Sequence, residues 1–249
     1  MLEKSDNVKG LRFKLSGKTA CFRRAEFNSY AYFTYNNIHK LALLGLLGAV
    51  VGYRGYNQQR KEEMYPEYYE KLKHLKVSIV PECKNYGVFP KKIQVFNNSV
   101  GYASAEDGGN LVVREQWIEN PCWYIYILDD GSVEYTTIEK YVMEGKTKYI
   151  PYLGKNDHLA VLSEAEVVDL EKTDSRYIDS LVVMDSIKYI EECDDEDEDE
   201  FVVKENVPVS MDSVYNFAVY SKSVYTNYMY DRENIENVYS DGKRNLFFF

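Results

Sequence analysis

The chain has 249 residues, a formal net charge of −10 and 45% hydrophobic residues. This length fits one large domain or two small ones, and this apolar content excludes a globally disordered protein. Four widely spaced cysteines include no CxxC pair, which argues against a zinc site and fits reduced thiols in a cytoplasmic protein. The first ten residues are polar and charged, so we expect no signal peptide. Leu41–Val51 is apolar but too short to span a membrane, which takes about 20 residues.

The charge is unevenly distributed along the chain. Residues 1–61 contain eleven Lys and Arg against three Asp and Glu, a local net charge of +8. The remainder therefore sums to −18, and half of this lies in Glu191–Glu200, which has nine acidic residues and one cysteine. Because like charges repel, we expect this block to form a disordered, solvated surface loop. The basic amino-terminal quarter is where a polyanion is expected to bind.

Alternation of apolar and polar residues predicts a strand-rich protein. The first strand is predicted within Leu11–Phe22, with a bend at Gly17. Arg23–Asn37 lacks clean periodicity and is predicted to be an ordered loop. A polar helix is expected at Glu62–Leu75. The remaining predicted strands are Val77–Pro81, Ile93–Asn97, Leu111–Trp117, Trp123–Leu128, Val161–Leu170 and Ile178–Met184, followed by a hairpin of Phe201–Val209 and Val214–Tyr225.

Apolar and small residues at three- and four-residue spacing predict a buried helix at Ile38–Val51. Asn36 or Asn37 is expected to cap its start, and Gly52 or Gly55 to end it. Each glycine inside a helix costs roughly 1 kcal/mol relative to alanine. The glycines within this helix therefore indicate a side that lies close against a sheet.

The pattern as a whole predicts a mixed α+β fold with more strand than helix. We expect residues 1–190 to form one domain, with the acidic loop at 191–200 as an insertion. Residues 201–249 are expected to supply a carboxyl-terminal hairpin and tail that pack on the same domain.

Common enzyme motifs are missing from the sequence: it has no P-loop, no GxSxG, no HExxH and no GxGxxG after a strand. Metal-independent RNA cleavage most often uses a histidine, with a lysine or tyrosine beside it. The pair Lys73-His74 is one such place, but a solvated helix face is the favoured interpretation. For His39, which follows Tyr35, we favour a role in binding over one in catalysis. We predict no catalytic residue, metal ligand or cofactor.

Arg23–Lys40 has the most unusual composition in the chain, rich in Arg, Tyr, Phe and Asn. Cations contact phosphates, aromatic rings stack on unpaired bases for about 1–3 kcal/mol each, and amides bond to base edges. The alternative is that these aromatic side chains pack over the edge of the core. A second polar segment, Pro151–His158, includes Gly154, which would let the backbone approach a ligand, and an ordinary turn is its alternative.

Four segments resemble the Cas-five family of CRISPR-associated proteins, most closely its subtype I-B branch. The longest is Leu11–Gly52, which contains FKLSGKTACFRRAEFNSYAYFTYNNIHKLALLGLLGAVVG. The others follow in the family's order: VFNNSVG at Val95–Gly101, EQWIENP at Glu115–Pro121 and PYLGKNDH at Pro151–His158. The resemblance covers about residues 10 to 185, with a weaker echo at residues 208–227.

The resemblance implies a ferredoxin-like, RRM-like RAMP domain with β-hairpin elaborations. It implies a non-catalytic subunit of the type I surveillance complex, Cascade, that caps the 5′ handle of the CRISPR RNA. Its expected partners are that RNA, the backbone subunit and the large subunit, so it would meet target DNA only indirectly. In the subtype I-C branch the family member cuts precursor RNA itself, and this is the alternative function. A third interpretation is an interaction module that touches no RNA.

The expected RNA-binding residues come from the loop composition and from the positions that match the family. They are Lys14, Lys18, Arg23, Arg24, Asn28, Tyr30, Tyr32, Tyr35, Asn36, Asn37, His39, Lys40, Asn98, Gln116, Tyr152, Lys155, Asn156 and His158.

Overall fold

The computed structural model describes residues 7–26, 30–190, 199–231 and 235–249. The α-helices are α1 (Lys40–Val51), α2 (Glu67–Leu72) and α3 (Val133–Met143). The strands are β1 (Asn7–Ser16), β2 (Thr19–Ala20), β3 (Val77–Pro81), β4 (Lys91–Asn97), β5 (Val112–Glu119), β6 (Cys122–Leu128), β7 (Val161–Lys172), β8 (Val182–Met184), β9 (Tyr189–Ile190), β10 (Val202–Met211), β11 (Ala218–Thr226), β12 (Met229–Tyr230), β13 (Val238–Ser240) and β14 (Asn245–Phe247).

The largest sheet has the strand order β14-β13-β7-β1-β6-β3. Its centre is β1, which pairs antiparallel with β6 on one side and with β7 on the other. The alternating side chains of Leu11, Phe13 and Leu15 are fully buried, as the pattern of β1 predicts. They meet Ile125 and Ile127 of β6 in the main core, which α1 and α3 cover.

The first helix begins two residues later than predicted. His39, not Asn36 or Asn37, caps α1, with its Nδ1 accepting a hydrogen bond from the backbone N–H of Ala42 at 3.3 Å. Gly52 ends the helix as predicted, in the left-handed conformation at φ +92°. The prediction of the cap was wrong because both asparagines are buried and use their amides elsewhere.

The prediction that the small-residue side of α1 packs on a sheet was wrong. This side faces α2. A Cβ at Gly48 would lie 2.5 Å from the Cβ of Tyr68, so only glycine fits this contact. Gly45 has more room, since its Cβ would lie 3.8 Å from Tyr68. The larger residues of α1, such as Leu43 and Leu47, are the ones buried in the main core.

Two helices differ from the prediction. The polar helix is confined to Glu67–Leu72, because Pro66 stands at its start and fixes the chain in an extended conformation there. The helix α3 was not predicted. It begins at the N-cap Ser132, whose hydroxyl accepts from the backbone of Tyr135, directly after a turn at residues 129–131.

The predicted strands from β3 to β7 are confirmed to within two residues, and the carboxyl-terminal hairpin is confirmed as β10 and β11. The strand expected at Ile178–Met184 is shorter, because only Val182–Met184 pairs, with β11. A separate small sheet of order β2-β5-β4 stands beside the largest sheet. The strand β14, within the apolar end of the chain, closes one edge of the largest sheet.

Among the described residues, no helix is both long and apolar enough to cross a membrane. Cys21, Cys83 and Cys122 are free thiols. The predicted acidic loop lies outside the described residues except for its last two members. Of these, Asp199 accepts a hydrogen bond from the Tyr86 hydroxyl at 2.7 Å.

Candidate nucleic-acid interface

The segment predicted as an RNA-binding loop contains two short stretches, residues 22–24 and 32–35, that pair with each other. We call them the first limb and the second limb. The backbone N–H of Arg24 donates to Phe33 at 2.8 Å, and that of Tyr35 donates to Phe22 at 2.9 Å. A β-bridge joins residues 23 and 34 between these bonds. These backbone hydrogen bonds therefore hold both limbs in a β-like conformation.

The second limb lies along β5 as an added strand. The backbone N–H of Tyr32 donates to Arg114, and that of Gln116 donates to Tyr32, both at 2.9 Å. Through this parallel bridge the second limb joins the small sheet of β2, β5 and β4. The loop and the hairpin of β4 and β5 thus form one continuous surface.

One face of β4 and β5 carries both cations and apolar side chains. In the antiparallel register Val95 lies opposite Arg114, and Ile93 lies opposite Gln116, so these side chains share a face. Lys91 precedes Ile93 on the same face by the period of two. Ile93 and Val95 are exposed. We call these five residues the outer face.

The limbs and the outer face enclose an open cleft of about 300 Å³. Its lining comprises Arg24, Phe33, Thr34, Lys91 and Gln116. Two cations and an aromatic ring therefore converge on one concave surface, which suits the phosphate and base of an unpaired nucleotide.

Arginine–aromatic pairs extend this surface beyond the cleft. The guanidinium of Arg23 lies 3.6 Å from the ring centroid of Tyr32, and that of Arg114 lies 5.5 Å from the ring of Tyr30. Tyr30 is 71% exposed. Arginine planes and tyrosine rings are the side chains on which unpaired bases stack.

A buried carboxylate lies beside the cleft and offsets part of its positive charge. Glu205 accepts two hydrogen bonds from the backbone N–H of Asn36, at 3.0 and 3.2 Å, and lies 3.5 Å from the Arg24 guanidinium. Burial raises the pKa of Glu205 despite these partners, and burial also lowers the pKa of Lys91. Arg24 pairs with Glu26 as well, at 3.0 Å. Acids thus offset part of the positive charge of the cleft, chiefly that of Arg24.

Three predicted contact residues of the loop are buried rather than presented to solvent: Tyr35, Asn36 and Asn37. Asn37 accepts a hydrogen bond from the Trp123 indole at 2.9 Å, and the Asn36 amide donates to the main chain of Gly87 at 2.8 Å. Their amides therefore hold the limbs on the core. These buried side chains therefore support the shape of the cleft.

His39 and Lys40 point into the protein. Desolvation lowers the pKa of His39 to about 3, so its ring is neutral near pH 7. Lys40 donates from Nζ to the main-chain oxygen of Phe249 at 2.8 Å, and burial lowers its pKa to about 8. Both residues are structurally engaged at the start of α1.

The turn at Pro151–His158 packs against the chain itself. Lys155 binds both oxygens of Glu115 at 2.8 Å, and His158 is buried with its Nδ1 2.6 Å from the Thr19 hydroxyl. Burial alone would raise the pKa of Glu115, but its hydrogen bonds from Lys155 and from the Trp117 indole hold the pKa below its usual value. Burial lowers the pKa of His158 from its ordinary value.

The glycine of this turn serves the fold rather than a ligand. A Cβ at Gly154, which has φ +89°, would lie 2.0 Å from the carbonyl oxygen of Cys21. The expected close approach is therefore to the chain's own backbone. Tyr152 and Asn156 of the turn remain exposed.

The other predicted residues are spread more widely. Lys14 pairs with Glu164 across β1 and β7 at 2.9 Å, and Lys18 is exposed at the bend before β2. Asn98 is exposed just beyond β4. Asn28 lies outside the described residues.

Two residues of the surface, Lys91 and Arg114, were missed in the sequence. The signal was present in KKIQVFN, where alternation places Lys91 on the face of two exposed apolar residues. What the sequence does not reveal is that a limb of the loop pairs with β5 and turns this face into a cleft. Among the described residues, no cluster of three or more His, Cys, Asp or Glu is arranged to hold a metal ion.

No protein-family model matches the chain, and no curated protein matches it in sequence. Solved structures do match in fold. A chain of a "CRISPR RNA-guided surveillance complex" superposes with a TM-score of 0.52 at 12% identity, over 89% of this chain and 91% of that one.

Two further matches are weaker. They are a chain of a "Type III-B Cmr-beta bound to cognate target RNA and AMPPnP", with a TM-score of 0.49 at 11% identity over 91% and 87% of the two chains, and a "CRISPR protein from Archaeoglobus fulgidus", with 0.40 at 11% over 96% and 97%. The chain has a strand-rich α+β fold that it shares with a chain of a CRISPR RNA-guided surveillance complex.

Proposed function

We propose that this chain is a non-catalytic subunit of a type I CRISPR surveillance complex, Cascade, which binds and caps the 5′ handle of the CRISPR RNA and contacts neighbouring subunits. The observation that carries the proposal is the cleft between the limbs and the outer face. It brings Arg24, Lys91 and Phe33 together, with Arg114 and Tyr30 beside them. Its chemistry suits a short single strand, read by stacking and held by phosphate contacts.

The topology supports the ferredoxin-like, RAMP-type interpretation of the fold. Four strands of the largest sheet, β7-β1-β6-β3, are neighbours in this order. Along the chain they follow the pattern β-α-β-β-α-β, with α1 after β1 and α3 after β6, and this pattern supports a ferredoxin-like motif. On this interpretation the hairpins of β4 with β5 and of β10 with β11 are the elaborations.

The histidines favour binding over cleavage. A general acid or base works best with a pKa near the operating pH. Burial lowers the pKa of both His39 and His158, and both side chains make structural hydrogen bonds or contacts. His74 lies on the exposed surface, 3.2 Å from Asp130, in the short polar segment that follows α2. The endoribonuclease alternative therefore has no described histidine in the cleft.

Charge substitutions test the cleft. We expect Arg114→Ala and Lys91→Ala each to weaken binding of the labelled CRISPR repeat RNA. Each is also expected to reduce the salt dependence of binding by about 0.7 in the log–log slope, the value for one phosphate on a single strand. The measurement is a filter-binding titration at several salt concentrations.

Lys140→Ala is the matched control, because Lys140 is exposed on α3, outside the cleft. It should leave both the affinity and the slope unchanged. Equal losses of affinity in all three variants would show that the effect comes from net charge and not from the cleft. Unchanged affinity in Arg114→Ala and Lys91→Ala would refute the cleft as the RNA site.

A further inference from the structure

The connection between β10 and β11 exposes a cluster of apolar side chains. Val214, Tyr215 and Phe217 are 72%, 67% and 68% exposed. The rings of Tyr215 and Phe217 stack on each other with centroids 5.5 Å apart. We call these three residues the hairpin tip.

The hairpin tip is held in one backbone conformation. The Asp212 carboxylate accepts hydrogen bonds from the backbone N–H groups of Val214, Tyr215 and Phe217, at 2.9, 2.8 and 2.6 Å. These bonds use the only charged side chain of the connection to order the tip. A preordered aromatic pair loses little entropy on binding, which is the property of an interface anchor.

Beside the tip, an apolar groove of about 480 Å³ follows the small-residue side of α1. Its floor includes Ala42, Gly45 and Ala49, and tyrosines form its walls. Its exposed rim includes Ile150, at 72%, and Tyr56. Among the described residues that line it, none is charged.

The tip and the groove are neighbours on the surface. The side-chain amide of Asn216, within the tip connection, donates to Gln59 at 3.1 Å, and Gln58 lines the groove. The backbone N–H of Met211 donates to the hydroxyl of Tyr69 at 2.9 Å, which ties α2 to the base of the hairpin. A projecting aromatic pair and an apolar hollow therefore stand side by side.

The charge around this surface identifies the kind of partner. Binding a nucleic-acid strand requires cations that neutralise phosphates. Arg54, near the groove, is paired with Glu63 and Glu67 at 2.6 and 2.9 Å, and Lys71 lies over the ring of Tyr53. By contrast, uncharged and largely apolar patches of this kind are typical of protein–protein interfaces.

We propose that the hairpin tip and the groove together form a docking surface for a neighbouring protein subunit. The partner presents an uncharged pocket to Tyr215 and Phe217, and an apolar side chain to the groove beside α1. This inference rests on the proposed function in one respect, since it takes the partner to be a subunit of the same complex.

The test uses the tagged full chain, co-expressed with the CRISPR RNA and the other protein subunits of its complex. Phe217→Ser alters the tip, and Ile150→Glu places a charge in the groove; both side chains are exposed, so neither change removes core packing. Val133→Ser, exposed on α3, is the control. We expect both test variants to reduce the yield of one co-purified protein subunit by about tenfold, as the loss of an interface hot spot does.

The affinity of each variant for repeat RNA, measured on the chain alone, should equal that of the wild type. Full retention of every subunit by both test variants would overturn the inference while leaving the proposed function intact. A parallel loss of RNA affinity would assign the surface to RNA. A wild-type dimer that Phe217→Ser dissociates would assign the surface to a second copy of the chain. Either result would also overturn the inference. If the wild-type chain binds neither RNA nor any subunit, both proposals fail.

Discussion

At the scale of single residues, His39 shows how burial couples the start of α1 to pH. Its ring is neutral in the folded protein, where desolvation lowers the pKa from 6.5 to about 3. Between these two pKa values the unfolded chain binds a proton that the folded chain does not, so the stability of the fold falls as the pH drops below 6.5. At pH 5 the loss from this one group is about 2 kcal/mol, at 1.36 kcal/mol per pKa unit.

The substitution His39→Asn isolates that contribution, because asparagine is a good N-cap but does not titrate. Urea unfolding near pH 7.5 and near pH 5 gives the free energy of unfolding at each. We expect the difference between the two pH values to be smaller in the variant than in the wild type by about 2 kcal/mol. An identical difference in both proteins would contradict a neutral, desolvated His39.

The glycines of α1 differ in a way that only the packing reveals. Gly48→Ala should destabilise the protein by roughly 1–3 kcal/mol, because its new methyl group would overlap the Tyr68 side chain. Gly45→Ala is the matched control. It meets only an ordinary contact at 3.8 Å and should stabilise the helix by up to about 1 kcal/mol. Thermal unfolding of the two variants should shift in opposite directions, and equal shifts would refute the contact with α2.

The sequence predicted that glycines in this helix mark a close contact, since glycine is costly there without one. It predicted the wrong partner, a sheet, where the contact is with Tyr68 of α2. Tyr68 lies twenty residues away from Gly48 on another helix, and no periodicity links the two. The same limit applies to Asn36 and Asn37, whose residue type suits both a base edge and a buried backbone group.

At the scale of elements, the pairing of the second limb with β5 forms the cleft. Glu205 on β10 accepts from the backbone of Asn36, which joins the hairpin of β10 and β11 to the loop. The carboxylate lies beside the cations that would meet phosphate. Its charge therefore opposes RNA binding while its hydrogen bonds order the loop.

The substitution Glu205→Gln separates these two effects, because the amide oxygen can still accept from the backbone of Asn36. We expect the affinity for repeat RNA to rise about threefold, since a negative charge near Arg24 and Lys91 is removed. A titration at low salt measures the change. Glu166→Gln on β7, which removes an exposed acid paired with Arg12, is the control; an equal rise there would reduce the effect to net charge.

The strands were predictable because alternation is a local signal, and β1 and β6 carry it strongly. The helix α3 was not, because its sequence, VEYTTIEKYVM, is rich in β-branched and aromatic residues that favour strands. Its buried residues are Tyr135, Ile138 and Val142, spaced three and four apart. Packing of this face on the core and the Ser132 cap outweigh the local preference.

At the scale of the whole molecule, the order of the strands in the largest sheet depends on pairings between distant segments, such as β1 with β7. Periodicity predicts each strand but not its neighbours, and only the family resemblance suggested the arrangement. The net charge of −10 is likewise a poor guide, since the cleft brings together Arg24 and Lys91 from separate segments. Surface charge acts locally because screening limits it to about 10 Å.

The central claim is that the chain binds CRISPR RNA and does not cut it. The most direct test incubates the purified protein with its labelled CRISPR repeat RNA in EDTA, and reads the same samples on a native and a denaturing gel. The account predicts a retarded complex on the native gel and intact RNA on the denaturing gel. Cleavage at one position would contradict it and identify a processing nuclease, whereas the absence of any complex would refute RNA binding itself.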